Sequence, residues 1–426
     1  MIVKQGTFGQ VCAAFGALMI GCDAPSAGSA TDSEGQGGST SSGASAASTS
    51  DAVPTTTDGG SATGAGSTGD EPPPPPPAYD EWLVVHLPGA VCGNGSEYKI
   101  FVNYHEGAKD LMVMLEPGGA CWDFDTCSGK APLGAAHPDG VPDDLLFDPL
   151  TSALSPLMRR DYDGPTKDWN MVFIPYCTGD VHTGNNVITY ADPNGVEPDL
   201  EFHHNGHNNI MAATGWMADN FPGLDRLFIT GCSAGGAGSL INYHFFRQGI
   251  DAKRGYLMDD SGPIFPSNGP SGPMHDKIRS SWDVDSVLSL LPPGYEITDD
   301  FGVLNVHLSK LYPDDRLSTI FFQRDYNYSR YSYERFYPDM TKDKTLAFWA
   351  EDTDALQSLY DPHPNLAYYL PYWRDLNDSH CVSIITYKDT GIEEKGVTVE
   401  NFINDLLDDN KPLVSYRESV QPNEDN

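Results

Sequence analysis

The sequence predicts an α/β fold in which a mostly parallel sheet is covered by helices on both faces. Three observations lead there. Short, unbroken apolar runs recur along residues 78–426, longer helical patterns separate them, and no repeat or second low-complexity stretch divides this part. Strands buried on both faces read as continuous apolar runs rather than alternating ones, which is the signature of a parallel sheet between helical layers.

The runs are Leu111–Leu115, Met171–Ile174, Arg226–Ile229, Gly255–Met258 and Ser318–Phe322, with a further apolar stretch at Leu366–Leu370 and a strand pattern at Val382–Thr386. Helical patterns fall near 206–220, 235–247, 278–291, 299–311, 344–360 and 398–408. In such sheets, ligands bind beyond the C-terminal strand ends, so chemistry is sought just after each run.

The residues before this domain read differently. Lys4 and the apolar run Val11–Ile20 have the layout of an export signal and are too short to span a bilayer, which needs about 20 apolar residues. The run closes on Gly21-Cys22, a lipobox-like ending that makes Cys22 a candidate lipidation site and residues 1–22 a lipoprotein-type signal; the alternative is an ordinary cleaved signal. Residues 23–77, rich in Ser, Thr, Gly and Ala and closed by the Pro run 72–77, lack large apolar side chains to offset ordering entropy and are expected to form a disordered stalk. The expected location is the bacterial cell envelope, with the protein lipid-anchored or secreted.

The formal charge is −35. Beyond residue 77 there are 24 bases against 53 acids, a balance opposed to nucleic acid and to anionic lipid, both of which are held by basic patches. Of the eight cysteines, Cys12 leaves with the signal and Cys22 is the lipid site, so six remain: Cys92, Cys121, Cys127, Cys177, Cys232 and Cys381. An even number in an exported chain implies disulfides. Cys121 and Cys127 are near enough for a small loop; spacing does not settle the other pairings.

After Arg226–Ile229 and Thr230 comes Gly231-Cys232-Ser233-Ala234-Gly235-Gly236, followed by a helical pattern. A G-x-S-x-G between strand and helix is the nucleophile elbow of α/β-hydrolases, and it makes Ser233 the candidate nucleophile; the bland alternative is a helix N-cap serine. The order Ser233, Asp325, His380 is the chain order of a Ser-Asp-His triad in that fold. His380 would exchange the hydroxyl proton and Asp325 would orient its imidazole. Asp259 and Asp260, which follow the run Gly255–Met258, are alternative acids, and His363 is an alternative base. Leu111–Leu115 leads into Glu116-Pro117-Gly118-Gly119-Ala120, where two glycines let amides turn inward, so the N–H groups of Gly119, Ala120 and Ala234 are the candidate oxyanion donors.

Four segments together resemble the pectin acetylesterase/Notum family. Leu115-Glu116-Pro117-Gly118-Gly119-Ala120-Cys121-Trp122 with Cys127 is similar to its L-E-G-G-G-W-C block. Ile174-Pro175-Tyr176-Cys177-Thr178-Gly179-Asp180-Val181 with Gly184 resembles its I-P-Y-C-x-x-D block. Gly231–Gly236 resembles G-C-S-A-G-G, and Ser379-His380-Cys381 resembles the T-H-C of plant members. The resemblance implies an α/β-hydrolase, no metal or other cofactor, and a triad on Ser233, Asp325 and His380. It implies hydrolysis of a carboxylic ester through an acyl-serine, with an acetylated carbohydrate as the expected substrate. Because cysteines flank both the elbow serine and the histidine in plant members, it also suggests a Cys232–Cys381 disulfide. Two departures bear on acyl preference: Pro117 replaces a glycine, and Ala120 stands where many members carry Trp.

Other features are weighed and set aside. His203, His204 and His207 have metal-like spacing but no Asp or Cys ligands beside them, and read as polar loop residues. The aromatic run from Tyr326 to Tyr337 reads as packing, with carbohydrate stacking as the alternative. Two other function classes share every motif: an inactive binding module on the same scaffold, and an amidase or thioesterase.

Overall fold

The computed structural model describes residues 78–131, 133–146, 155–294, 297–375, 377–384, 387 and 390–420. The signal, the lipid-site Cys22 and the stalk expected over 1–77 lie outside these residues.

A nine-stranded sheet organises the domain, in the order β1-β2-β4-β3-β7-β8-β9-β10-β13. Its members are β1 (Trp82–Val91), β2 (Glu97–Asn103), β3 (Asp110–Leu115), β4 (Asn170–Ile174), β7 (Leu224–Cys232), β8 (Ala252–Asp260), β9 (Arg316–Ile320), β10 (Leu366–Leu370) and β13 (Tyr416–Arg417). From β4 to β13 every neighbouring pair is parallel, while β1–β2 and β2–β4 are antiparallel. The expected mostly parallel α/β sheet is therefore present. Five consecutive residues of β3, Leu111–Leu115, are buried, as are all five of β4. Each large apolar side chain so buried contributes about 1.5–3 kcal/mol, which favours unbroken apolar runs where both faces are covered.

Beside the sheet lie two small hairpins, β5 (Asn186–Tyr190) with β6 (Leu200–His204), and β11 (Gly391–Ile392) with β12 (Val397–Thr398). The helices are α1 (Phe124–Cys127), α2 (Gly206–Asn220), α3 (Ala234–Gly249), α4 (Gly272–Trp282), α5 (Val284–Leu288), α6 (Leu304–Leu311), α7 (Tyr326–Tyr333), α8 (Lys342–Tyr360) and α9 (Val399–Leu406). Among the described residues no helix is long and apolar enough to cross a membrane.

Several boundaries differ from the sequence expectation. The helix expected over 278–291 is two helices, because Asp283 takes a left-handed backbone (φ 55°) between α4 and α5. The helix expected from 299 begins as a 3₁₀ turn, Phe301–Val303, capped by the Asp300 carboxylate on the Gly302 amide. Strand β9 ends at Ile320, leaving Phe321 and Phe322 in the connection that leads to Asp325. Val382–Ile384, expected as strand, form a turn instead: the amides of Val382 and Ser383 donate to the Asp260 carboxylate, and β13 occupies the place beside β10.

Candidate active site

The C-terminal ends of β3, β7, β8 and β9, together with the loop after β10, bring most of the predicted residues to one side of the sheet. Strand β7 ends at Cys232 and α3 begins at Ala234, so Ser233 alone makes the turn, with φ 56° and ψ −120°. That backbone is unfavourable for a residue with a side chain and holds only where its surroundings enforce it. Close packing supplies the constraint: a Cβ on Gly235 would collide with the carbonyl oxygen of Leu115 at the end of β3.

Asp325 caps α7. One carboxylate oxygen accepts the Tyr328 amide at 2.9 Å, and the other meets His380 Nδ1 at 2.7 Å. Both residues are almost fully buried, at 0% and 1% exposure. Burial pushes the Asp325 carboxyl up, while the adjacent His380 and the α7 amides pull it back. The imidazole is tied to the elbow covalently, since disulfide Cys232–Cys381 joins the residue before Ser233 to the residue after His380, with Cα atoms 5.6 Å apart. Among the described residues no hydrogen bond links the Ser233 hydroxyl to His380; such contacts are often long before substrate arrives.

Gly119, Ala120, Ser233 and Ala234 line one narrow pocket. Its other walls are mostly apolar: Trp122, Val181, Ala237, Ile264, Met274, Ile278 and Trp282, with Tyr328 and Tyr331. The segment around Gly119 and Ala120, the candidate oxyanion donors, is braced from several sides. Gly119 has φ 70°, the Gly118 carbonyl accepts the Ala136 amide at 2.8 Å, and the Cys121 amide donates to Gly179 O at 2.8 Å. The indole of Trp282 donates to Cys121 O at 2.7 Å. Disulfide Cys121–Cys127 closes the short loop expected there, and a third bridge, Cys92–Cys177, ties β1 to the residues after β4.

Some contributors had not been singled out as functional. Glu116, directly after β3, accepts the Tyr176 amide at 2.7 Å and meets His137 Nε2 at 3.1 Å, while its carbonyl meets His182 Nε2 at 2.9 Å. Buried Asp180 accepts from the amides of Gly184 and Gly206 and from the Thr178 hydroxyl. Both acids lie inside the quoted sequence blocks, but nothing in their spacing reveals what they hold.

The alternatives fall elsewhere. Asp259 and Asp260 sit at the end of β8, yet neither meets His380: Asp259 accepts from Gly262 N and Thr319 Oγ1, and Asp260 from residues 261, 382 and 383. His363 precedes β10 and so lies at the N-terminal end of that strand, away from the C-terminal ends that carry the other candidates. His204 uses both ring nitrogens, on Thr178 O and Tyr190 OH, and His207 meets Asn242. Among the described residues, the two groups close enough to hold a metal are Cys121, Cys127 and His204, and Cys232, His380 and Cys381; in each, both cysteines are disulfide-bonded.

Residues 83–284 match the family model described as pectinacetylesterase. The chain is 27% identical over 169 residues to pectin acetylesterase 4 of Arabidopsis thaliana, covering 38% of this chain and 37% of that one. It is 27% identical over 165 residues to palmitoleoyl-protein carboxylesterase notum1 of Xenopus laevis, covering 37% and 30%. Over just under half of its length the chain is thus similar to the pectin acetylesterase/Notum family. The matched stretch spans only 30–37% of these relatives' length, and the family model ends before Asp325 and His380. The fold extends further: the Wnt deacylase Notum from Drosophila superposes with a TM-score of 0.50 at 16% identity, over 79% of this chain and 95% of that one.

Behind this site, Asp259 is wholly buried, and burial followed by the neighbouring Asp260 pushes its carboxyl up to about 8. The folded state therefore holds a proton that the unfolded chain, with its ordinary value of 3.8, has released at neutral pH. Stability contributed this way is present at low pH and is lost as pH rises through about 8. The expected result is that Asp259→Asn, which mimics the protonated form, flattens the fall in unfolding free energy between pH 6 and 9. The difference in slope should reach about 1 kcal/mol per pH unit. Urea titrations of both proteins across that range measure it, and parallel slopes would contradict a protonated Asp259.

Proposed function

We propose that this chain is a serine carboxylic-ester hydrolase acting through an acyl-Ser233 intermediate. Ser233 Oγ attacks the acyl carbonyl while His380 takes the hydroxyl proton, and Asp325 holds the imidazole and offsets its positive charge. The amides of Gly119, Ala120 and Ala234 receive the oxyanion. Collapse expels the alcohol with the proton from His380, and water, deprotonated by His380 in turn, releases the acid and restores the hydroxyl. The observation that supports this reading most is the buried His380–Asp325 pair, 55 residues apart in sequence, beside a strained serine at a strand-to-helix turn.

The acyl group fits the apolar slot lined by Val181, Ile264, Met274, Ile278 and Trp282, and the alcohol faces the mouth. A polysaccharide carrying acetyl esters suits this arrangement. With a formal charge of −35, a neutral acetylated glycan is a better partner than polyanionic pectin, although salt screens the repulsion beyond about 8 Å. Three disulfides fit an oxidising compartment, in keeping with export and a lipid tether at Cys22.

The full chain is assayed on nitrophenyl acetate, butyrate and octanoate, and for acetate release from defined acetylated glycans. Acetate is expected to exceed octanoate in kcat/KM by about tenfold or more, since a pocket discriminates by about 1–3 kcal/mol per methylene. Hydrolysis of none of these esters would point to the binding module. A preference for anilides or thioesters would move the assignment to the amidase or thioesterase class.

A further inference from the structure

The loop carrying His380 has a backbone that its own few hydrogen bonds, Asn377 Nδ2 to His380 O and Ser379 Oγ with Arg374, do not account for. Asn377, Asp378, Ser379 and Cys381 all have φ between 50° and 63°. Four non-glycine residues in the left-handed region within five positions are costly, and the arrangement persists only if neighbours over-determine it. The disulfide holds one point, at Cys381. Ser379 Oγ exchanges hydrogen bonds with the Arg374 amide and carbonyl, His380 meets Asp325, and the hold on the residues after His380 comes largely from β8.

Asp260, the last residue of β8, is fully buried and its carboxylate accepts four donors. Val382 N (2.9 Å) and Ser261 Oγ (2.8 Å) reach one oxygen; Ser383 N (2.7 Å) and Ser383 Oγ (2.6 Å) reach the other. Ser261 Oγ in turn accepts the Cys381 amide at 3.1 Å. The backbone amides of three successive residues after His380 are thus fixed by Asp260, directly or through Ser261. The same residue reaches the elbow, because its carbonyl oxygen accepts the Ser233 amide at 2.8 Å. Strand pairing sets Asp260 opposite Cys232, so both attachments start from one rigid point of the sheet.

We infer that Asp260 is a positioning residue that sets the distance between Ser233 and His380: its carbonyl anchors the serine and its carboxylate anchors the loop bearing the imidazole. The inference rests on the hydrolase reading for its consequence in turnover, but the holding of the loop can be read without any substrate. An ionised carboxylate suits the task because it is acceptor-only, and all four groups aimed at it donate. An amide at this position would turn an NH₂ group toward an N–H donor and lose at least one contact.

The test compares the parent full chain with Asp260→Asn and Ser383→Ala. Hydrogen exchange at the Val382 and Ser383 amides is measured, together with the downfield proton resonance of the His380 Nδ1–Asp325 bond, identified by its absence in His380→Gln. In Asp260→Asn the two amides should exchange about tenfold faster or more and the resonance should broaden or vanish. kcat on nitrophenyl acetate should fall about 100-fold, the scale expected for a catalytic group displaced by about 1 Å, with KM within about threefold. Ser383→Ala removes one of four donors and should show the same pattern in weaker form. Unchanged exchange, an intact resonance and kcat within about threefold in Asp260→Asn would overturn the inference. A parent that cleaves no ester, yet whose loop loosens as described, would defeat the hydrolase reading and leave the anchoring role in place.

Discussion

Ser233→Ala is expected to lose about 10⁶-fold in kcat on nitrophenyl acetate, and His380→Ala about as much, because nucleophile and base act as a unit. Asp325→Asn should cost less, on the order of 10⁴-fold, since the imidazole would keep its place with the wrong tautomer. The double variant Ser233→Ala/His380→Ala should be no worse than either single one. Such non-additivity is the signature of a shared proton path, and multiplied losses would argue that the two side chains act separately. Asp325 also caps α7 through the Tyr328 amide, so Asp325→Ala carries a folding cost that Asp325→Asn is chosen to reduce. Stopped-flow and steady-state rates on one ester decide the matter, with near-UV circular dichroism verifying the fold. A Ser233→Ala chain keeping more than about a hundredth of parental turnover would exclude Ser233 as nucleophile.

The second large effect concerns the bridge between elbow and base. In Cys232→Ser/Cys381→Ser, the left-handed stretch around His380 keeps its bonds to Asp260 but loses its covalent tie to β7. The bridge closes a separation of 149 residues, and a cross-link of that size contributes about 2–4 kcal/mol to stability. A loss of that order in urea unfolding is expected, with kcat lowered about 100-fold and KM little changed. Mild reduction of the parent should reproduce the kinetic loss. A double variant that unfolds earlier yet turns over at the parental rate would mean that hydrogen bonding alone sets the geometry of His380.

Features determined within a few residues were readable from the sequence. The elbow is one: strand, turn and helix are encoded within about ten positions, so Ser233, its glycines and the proposed donor Ala234 all stood out. The buried strands β3, β4 and β7 were equally plain. Strand β1 was missed because Pro88 and Gly89 interrupt it, a pattern tolerated on a sheet edge but indistinguishable from a turn in sequence. Likewise the break at Asp283 follows Trp282, whose indole reaches Cys121 O across 161 residues, a contact no local pattern reveals. Asp325 was the least supported by its own neighbours, and its meeting with His380 is purely tertiary. The role inferred for Asp260 was the least accessible of all, since the loop donors it receives come from more than 120 positions downstream. An acid after a strand invites a catalytic reading; only its surroundings tell whether it points at a substrate or holds a neighbouring loop.

The pattern of sulfur bridges bears on how this chain can be made. The six cysteines of the described residues can pair in fifteen ways, and the observed set is not the one obtained by joining each cysteine to the next to emerge. Cys92 must pass over Cys121 and Cys127 to reach Cys177, whereas a chain emerging from its N-terminal end offers it those two first. Premature joining of Cys92 to either would leave the loop at 118–127 miswired. Recombinant production therefore calls for a host compartment in which bridges are reshuffled as well as formed, and yield there should track isomerase supply more closely than the strength of the oxidant.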